Sequence, residues 1–113
     1  MEERSFERRK FERVNLPASA NVFIQDHSEQ RVGRVRILGR GGFLLETKER
    51  FRSGSTEPLT IVAPASGIRR EIEARALYTT DEGTAFEFHN LQPDAAVEVG
   101  VLLGKYYAAK SGR

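Results

Sequence analysis

The first residues with the chemistry to bind a ligand are the arginines of an N-terminal arm. Residues 7–14 read ERRKFERV, in which Arg9 and Arg13 are four positions apart and Arg8 stands alongside. Four positions is close to one helical turn and is also an even number of strand residues, so the two side chains project to the same side in either conformation. Each guanidinium offers a planar fork of donors that matches two phosphate oxygens. The arm can therefore clamp a ligand with two phosphates, or it is a solvated segment whose arginines pair with neighbouring glutamates.

A glycine-rich stretch, ILGRGGFLLET at residues 37–47, is the second candidate. Gly41 and Gly42 are expected to adopt backbone angles that other residues avoid and to expose amide donors. Arg40, between them and the preceding strand, is placed to reach a phosphate or the O6 and N7 acceptors of guanine. The alternative is a hairpin turn with no ligand.

Composition limits the kinds of protein that this sequence can encode. The chain has 113 residues, of which 39% are hydrophobic and 30% charged, so we expect one domain over residues 1–113. The absence of cysteine excludes disulfides and thiolate metal sites. A net charge of +2 does not indicate a general polyanion binder. No apolar run is long enough to span a bilayer, so we expect a cytoplasmic protein without a membrane partner.

Hydrophobic alternation predicts short strands over most of the chain. They fall at residues 21–25, 33–38, 43–47, 58–62, 70–78 and 84–88. In the second, alternation places Val35 and Ile37 on one face and Arg34 and Arg36 on the other.

The C-terminal residues change to a helical period. Pro93 and Asp94 suit a helix start, and the spacing of the following apolar residues predicts one helix over 92–110. Gly100 and Gly104 each weaken it by about 1 kcal/mol relative to alanine, so the helix should depend on docking. These elements indicate an all-β fold with a terminal helix, either a small antiparallel barrel or a sandwich.

The order of these segments resembles the PilZ domain family. The resemblance rests on ERRKFERV, on the turn RGGFLLET and on GTAFEFHNLQPDA leading into the helix. It implies a six-stranded antiparallel β-barrel over 15–91, preceded by a mobile arginine-rich arm over 1–14. It also implies a receptor for the bacterial second messenger cyclic di-GMP, in which the arm carries an RxxxR motif and the turn a D/NxSxxG motif.

The sequence keeps the first motif and departs from the second. RxxxR falls on Arg9 and Arg13, whereas D/NxSxxG falls on Ile37, Gly39 and Gly42, so both polar side chains are missing. Such a loss costs about 1–3 kcal/mol per contact. Either the affinity is weak, or Arg40 and backbone amides compensate, or this chain binds something else.

We therefore expect a cyclic di-GMP receptor that acts as a binding module rather than an enzyme, without cofactor or metal. The residues that we expect to bind the ligand are Arg8, Arg9, Arg13, Arg40 and Gly42. The alternative is a nucleotide-independent adaptor of the same fold that acts on an unidentified protein partner.

Other sites are weaker candidates. No nucleophile elbow or P-loop is present, and His27 and His89 lack metal-site spacing. An outward stripe of Arg31, Arg34, Arg36 and Arg40 has a charge that suits RNA, but no aromatic side chain is expected on that face. Nucleic acid is therefore not an expected partner. The aromatic residues expected in the core are Phe23, Phe43, Phe86 and Phe88.

Overall fold

The computed structural model describes residues 13–111, with side chains described as far as Tyr107. Arg8 and Arg9 lie outside the described residues. Seven strands precede one helix: β1 Val14–Asn15, β2 Phe23–Gln25, β3 Arg31–Leu38, β4 Gly42–Thr47, β5 Thr56–Ala63, β6 Ile68–Thr80, β7 Gly83–Phe88 and α1 Pro93–Ser111.

Six of the strands close into an antiparallel barrel. The hydrogen-bonded order is β3-β2-β5-β6-β7-β4, and β4 pairs with β3 again to complete the ring. This confirms the predicted fold class. The strand β1 is an extra one, which pairs with the end of β3. It was not predicted because two residues are too few to show alternation.

The inner face of the barrel follows the predicted alternation along β6. Ile72, Ala74 and Ala76 are buried, whereas Glu71 and Glu73 are exposed. The largest fully buried side chains, which define the centre of the core, are Val22, Ile24, Val35, Leu38, Leu45, Ile61 and Leu102.

The prediction that Val35 and Ile37 share the inner face is wrong. The β3–β4 register is irregular between these residues, with Val35 opposite Leu45 and Ile37 opposite Leu44. Such a bulge adds one residue to β3 and reverses the alternation after it. Leu38 therefore takes the inner position and is fully buried, while Ile37 is half-buried on the outer face.

Three of the four phenylalanines expected in the core belong to it. Phe43 and Phe86 are buried and stack with centroids 5.1 Å apart, and Phe88 packs partly buried beside them. Phe23 is an exception, because Arg31 lies over its ring at 4.6 Å from the centroid on the outer surface of the barrel. Its neighbours Val22 and Ile24 face the core instead.

The helix α1 docks on the barrel through one apolar side and one ion pair. Its buried residues are Ala95, Val99, Leu102 and Leu103. Arg70 of β6 donates from Nε and Nη2 to the two carboxylate oxygens of Glu98, at 2.9 and 3.1 Å. Within the described residues, no helix combines the length and the apolar character needed to cross a bilayer.

Close backbone approach, rather than unusual backbone angles, explains Gly42. Neither Gly41 nor Gly42 has a positive φ, so the prediction that they use glycine-only conformations is wrong. A Cβ on Gly42 would overlap the carbonyl oxygen of Phe86 on the neighbouring strand. Gly41, in contrast, has no atom of residues 13–111 within 4 Å of the position where a Cβ would stand.

We expect Gly42→Ala to lower the free energy of unfolding by about 1–3 kcal/mol, because the added methyl group must push β4 and β7 apart. The matched control is Gly41→Ala, which we expect to change it by less than about 0.5 kcal/mol. Urea unfolding of both variants measures the difference. Equal stability of the two variants would contradict the close approach.

We also expect the Arg70–Glu98 pair to make stability depend on pH. The pKa of Glu98 lies below its ordinary value because Arg70 donates hydrogen bonds to its carboxylate. The pair therefore contributes stability above the pKa of glutamate in the unfolded chain, about 4.3, and loses it as the pH falls through the lowered native pKa. Since the two side chains are 39% and 28% exposed, the effect should be modest.

The measurement is the melting temperature of Glu98→Gln and of the wild type between neutral and acidic pH. The variant should melt lower at neutral pH, and the gap should close in acid. The double variant Arg70→Gln, Glu98→Gln should lose little more than either single variant. Fully additive losses would show that the two side chains do not act together.

Candidate ligand-binding site at the arm and turn

The strand β1 brings the end of the arm to the glycine-rich turn. Val14 pairs with Leu38 and Asn15 with Ile37, so Arg13, one residue before Val14, lies beside the start of that turn. Its side chain is exposed. The last arginine of RxxxR and the turn that carries Arg40 therefore meet at one end of the barrel.

Arg34 fixes the chain that follows β1. Its Nη1 donates to the carbonyl oxygen of Leu16 at 3.3 Å, and its Nη2 and Nε approach Glu46 Oε1 at 3.0 and 3.2 Å. The amide of Leu16 donates in turn to the carbonyl of Arg36 at 2.8 Å. These contacts hold the base of the arm against the outer face of β3.

The turn itself is held by two backbone hydrogen bonds. Gly39 N donates to the carbonyl of Gly42 at 2.9 Å, and Phe88 N donates to the carbonyl of Gly41 at 2.8 Å. Arg40 stands exposed between them and extends to the helix, where its Nη1 lies 3.8 Å from the position that a Cβ would have on Gly100. The turn thus presents one cation on a fixed backbone.

An apolar row on the outer face continues from the turn across four strands. Ile37 lies opposite Leu44, Leu44 opposite Ala85, and Ala85 opposite Tyr78. The first three are half-buried and Tyr78 is 56% exposed. No local pattern in the sequence reveals this row, because its members are far apart in the chain and only the strand register brings them together.

The arginines considered as a basic stripe do not form one open cationic face. Arg31 lies over Phe23, Arg34 is paired with Glu46, and Arg40 reaches the helix. In the part of the chain that the structure describes, no group of three or more His, Asp or Glu side chains is arranged to hold a metal ion.

A groove of about 1110 Å³ lies elsewhere, between β5, β6 and the start of α1. It contains Arg69 and Arg70 together with Glu71, Glu73 and Asp94, so opposite charges offset one another there. Arg70 is also already bound to Glu98. We favour the arm and turn as the ligand site, because the pairing of β1 with β3 brings Arg13 beside the turn that carries Arg40.

Comparison with solved structures identifies the fold. The structure is similar to that of the PilZ domain with c-di-GMP of YcgR from Escherichia coli, with a TM-score of 0.67 and 17% identity over 89% of this chain and 95% of that one. It is also similar to the inhibitor of motility MotI/DgrA from Bacillus subtilis, with a TM-score of 0.59 and 20% identity over 90% of this chain. The match spans 51% of the latter protein.

Sequence comparison gives the family. A search of curated protein sequences returned no match. The family model of the PilZ domain matches residues 7–104, a range that includes both the arm motif and the glycine-rich turn. The chain therefore belongs to the PilZ domain family.

Proposed function

We propose that this PilZ domain is a cytoplasmic receptor for cyclic di-GMP, a binding module and not a catalyst. The observation that carries the proposal is the pairing of β1 with the end of β3, because it brings Arg13 to the turn that carries Arg40. The similar domain of YcgR was solved with this nucleotide. The fold is therefore compatible with such a ligand.

In this proposal several arginines together bind the dianionic ligand. Arg8, Arg9 and Arg13 hold the phosphates through paired N–H donors, and Arg40 approaches from the turn towards a phosphate or a guanine edge. Gly42 contributes by keeping β4 close to β7 and so fixing the turn. Binding draws the arm arginines against the turn and changes the surface that a partner protein contacts.

A second candidate function, a nucleotide-independent adaptor, is favoured by the apolar outer row. Ile37 stands where the family motif has Asp or Asn, and with Leu44, Ala85 and Tyr78 it offers an apolar surface instead of polar groups. A protein partner that docks there would need no nucleotide. The two functions predict opposite results in a binding experiment with cyclic di-GMP.

We expect cyclic di-GMP to bind the wild type and Arg13→Ala to weaken the affinity at least about tenfold. The reason is the loss of charge-assisted hydrogen bonds worth about 1.5–3 kcal/mol. Isothermal titration calorimetry measures both affinities. Melting temperatures should agree closely, since Arg13 is exposed.

The matched control is Arg52→Ala, an exposed arginine in the loop between β4 and β5, at the opposite end of β4 from the turn. Its affinity should stay within about twofold of the wild type. A wild type that gives no binding at high micromolar ligand would favour the adaptor. Equal weakening by both variants would indicate general electrostatic attraction rather than a site.

We further expect Ile37→Asp to tighten the binding of cyclic di-GMP by about tenfold, because a carboxylate can accept from the N–H groups of a guanine edge. The bulge in β3 makes this test possible, since Ile37 is half-buried on the outer face and not in the core. The control Ile37→Ala removes the same apolar surface without adding a carboxylate, so it should not tighten binding. No gain with Asp would place Ile37 outside the ligand site.

A further inference from the structure

The helix α1 carries a second apolar face, on the side away from the barrel. Val97 and Val101 are 65% and 53% exposed, although the inner side of the same helix is buried. With Gly100 and Gly104 they occupy positions i, i+3, i+4 and i+7, which place all four on one stripe. A surface helix normally shows charged residues there, so this stripe is suited to contact with another molecule.

The two glycines on this stripe have no packing role among the described residues. Within the part of the chain that the structure describes, a Cβ on Gly104 would meet no atom within 4 Å, and a Cβ on Gly100 would meet only the flexible end of Arg40, at 3.8 Å. Both glycines weaken the helix relative to alanine. Together with the valines, they form a surface of two projections and two hollows.

We propose that this face of α1 binds the same face of a second copy of the chain, in an antiparallel contact with two-fold symmetry. When the helices run in opposite directions, one register places Val97 against Gly104 of the other copy and Val101 against its Gly100. The symmetry then repeats both contacts. Among the described residues the hollow at Gly104 is open, whereas entry of Val101 at Gly100 requires the guanidinium of Arg40 to move aside.

The charges beside the stripe fit the same register. Asp94 and Glu98 lie on one flank in the first half of the helix, and Lys105 lies on that flank in the second half. In an antiparallel pair with two-fold symmetry, this flank of one helix lies beside the same flank of the other helix. Lys105 then stands level with Ala96 of the other copy, about 3 Å along the axis from both Asp94 and Glu98. Glu98 is already bound to Arg70, so the exposed Asp94 is the acidic partner, and Lys105 must leave Ser66 Oγ, 3.2 Å from its Nζ, to reach it. The Asp94–Lys105 pair makes the surface complementary to itself in charge as well as in shape.

The proposal does not rest on the binding of cyclic di-GMP, because no residue of the stripe belongs to the arm or the turn. Arg40 touches only its edge, at Gly100. One helix face is a small interface, so we expect a weak dimer with a Kd on the order of 100 µM.

The first test is sedimentation velocity of the full chain from about 10 µM to 1 mM, a range that brackets the expected Kd. The mass of the wild type should rise towards that of a dimer. Val101→Asp should weaken association at least tenfold, whereas Leu77→Asp, which charges an exposed apolar residue on the barrel, should not. A wild type that stays monomeric, or equal effects of the two variants, would overturn the proposal.

The second test addresses the register by exchanging charges. The substitutions Asp94→Lys and Lys105→Asp should each weaken self-association. In each case positions 94 and 105 of the two identical molecules then carry the same charge. An equimolar mixture of the two variants should dimerise almost as well as the wild type, since both contacts between positions 94 and 105 in the mixed pair join opposite charges while Glu98 stays bound to Arg70. If the mixture associates only as strongly as the average of the two variants measured alone, this antiparallel pair is excluded.

The variant Gly104→Leu separates the effect on self-association from any effect on the stability of α1. Leucine is a better helix former than glycine, and its Cβ would meet no atom of the described residues within 4 Å, so the melting temperature should not fall. The same side chain fills the hollow that Val97 of the other copy would enter, so association should weaken at least tenfold. Unchanged association would overturn the proposal.

Discussion

The pairing of β1 with the end of β3 is the interaction on which the candidate site depends. Two residues of strand, Val14 and Asn15, contribute little hydrogen bonding on their own. The contacts that support them come from the barrel: Val14 is buried in the core, and Arg34 binds the carbonyl of Leu16 while also bound to Glu46. The barrel therefore fixes the point from which the arginine-rich arm departs, and that point is the glycine-rich turn.

The bulge in β3 has a comparable effect on the chemistry of the outer surface. Without it, Ile37 would continue the inward alternation of Val35 and the family's polar position would lie in the core. With the extra residue, Leu38 enters the core and Ile37 faces outward, between Asn15 and Leu44. A polar side chain at this position would be accessible to a ligand, and an apolar one becomes part of an apolar surface. The backbone thus places position 37 on the outer surface, where this chain has an apolar side chain in place of the Asp or Asn of the family motif.

Much of the fold could be predicted from the sequence, because long alternating segments and a helical stripe are local patterns. The six barrel strands and α1 appear close to their expected positions. The bulge, the outer position of Phe23 and the row that ends at Tyr78 could not be predicted, since they depend on which strands pair and in which register. The sequence singles out Gly42, but the predicted cause, an unusual backbone angle, is wrong. The actual cause is the close approach of Phe86, a long-range contact that no local pattern shows. Within the candidate site, the meeting of arm and turn followed only from the family resemblance.

Arg40 lies between the two surfaces proposed to bind other molecules. Its backbone belongs to the turn of the ligand site, and its guanidinium lies against Gly100, at the edge of the outer face of α1. A ligand that draws Arg40 towards a phosphate removes this cation from the edge of the helix face. If the dimer excludes Arg40 from the hollow at Gly100, the ligand and the second copy favour the same position of this side chain. The two binding events then assist each other, and by linkage the assistance is equal in both directions.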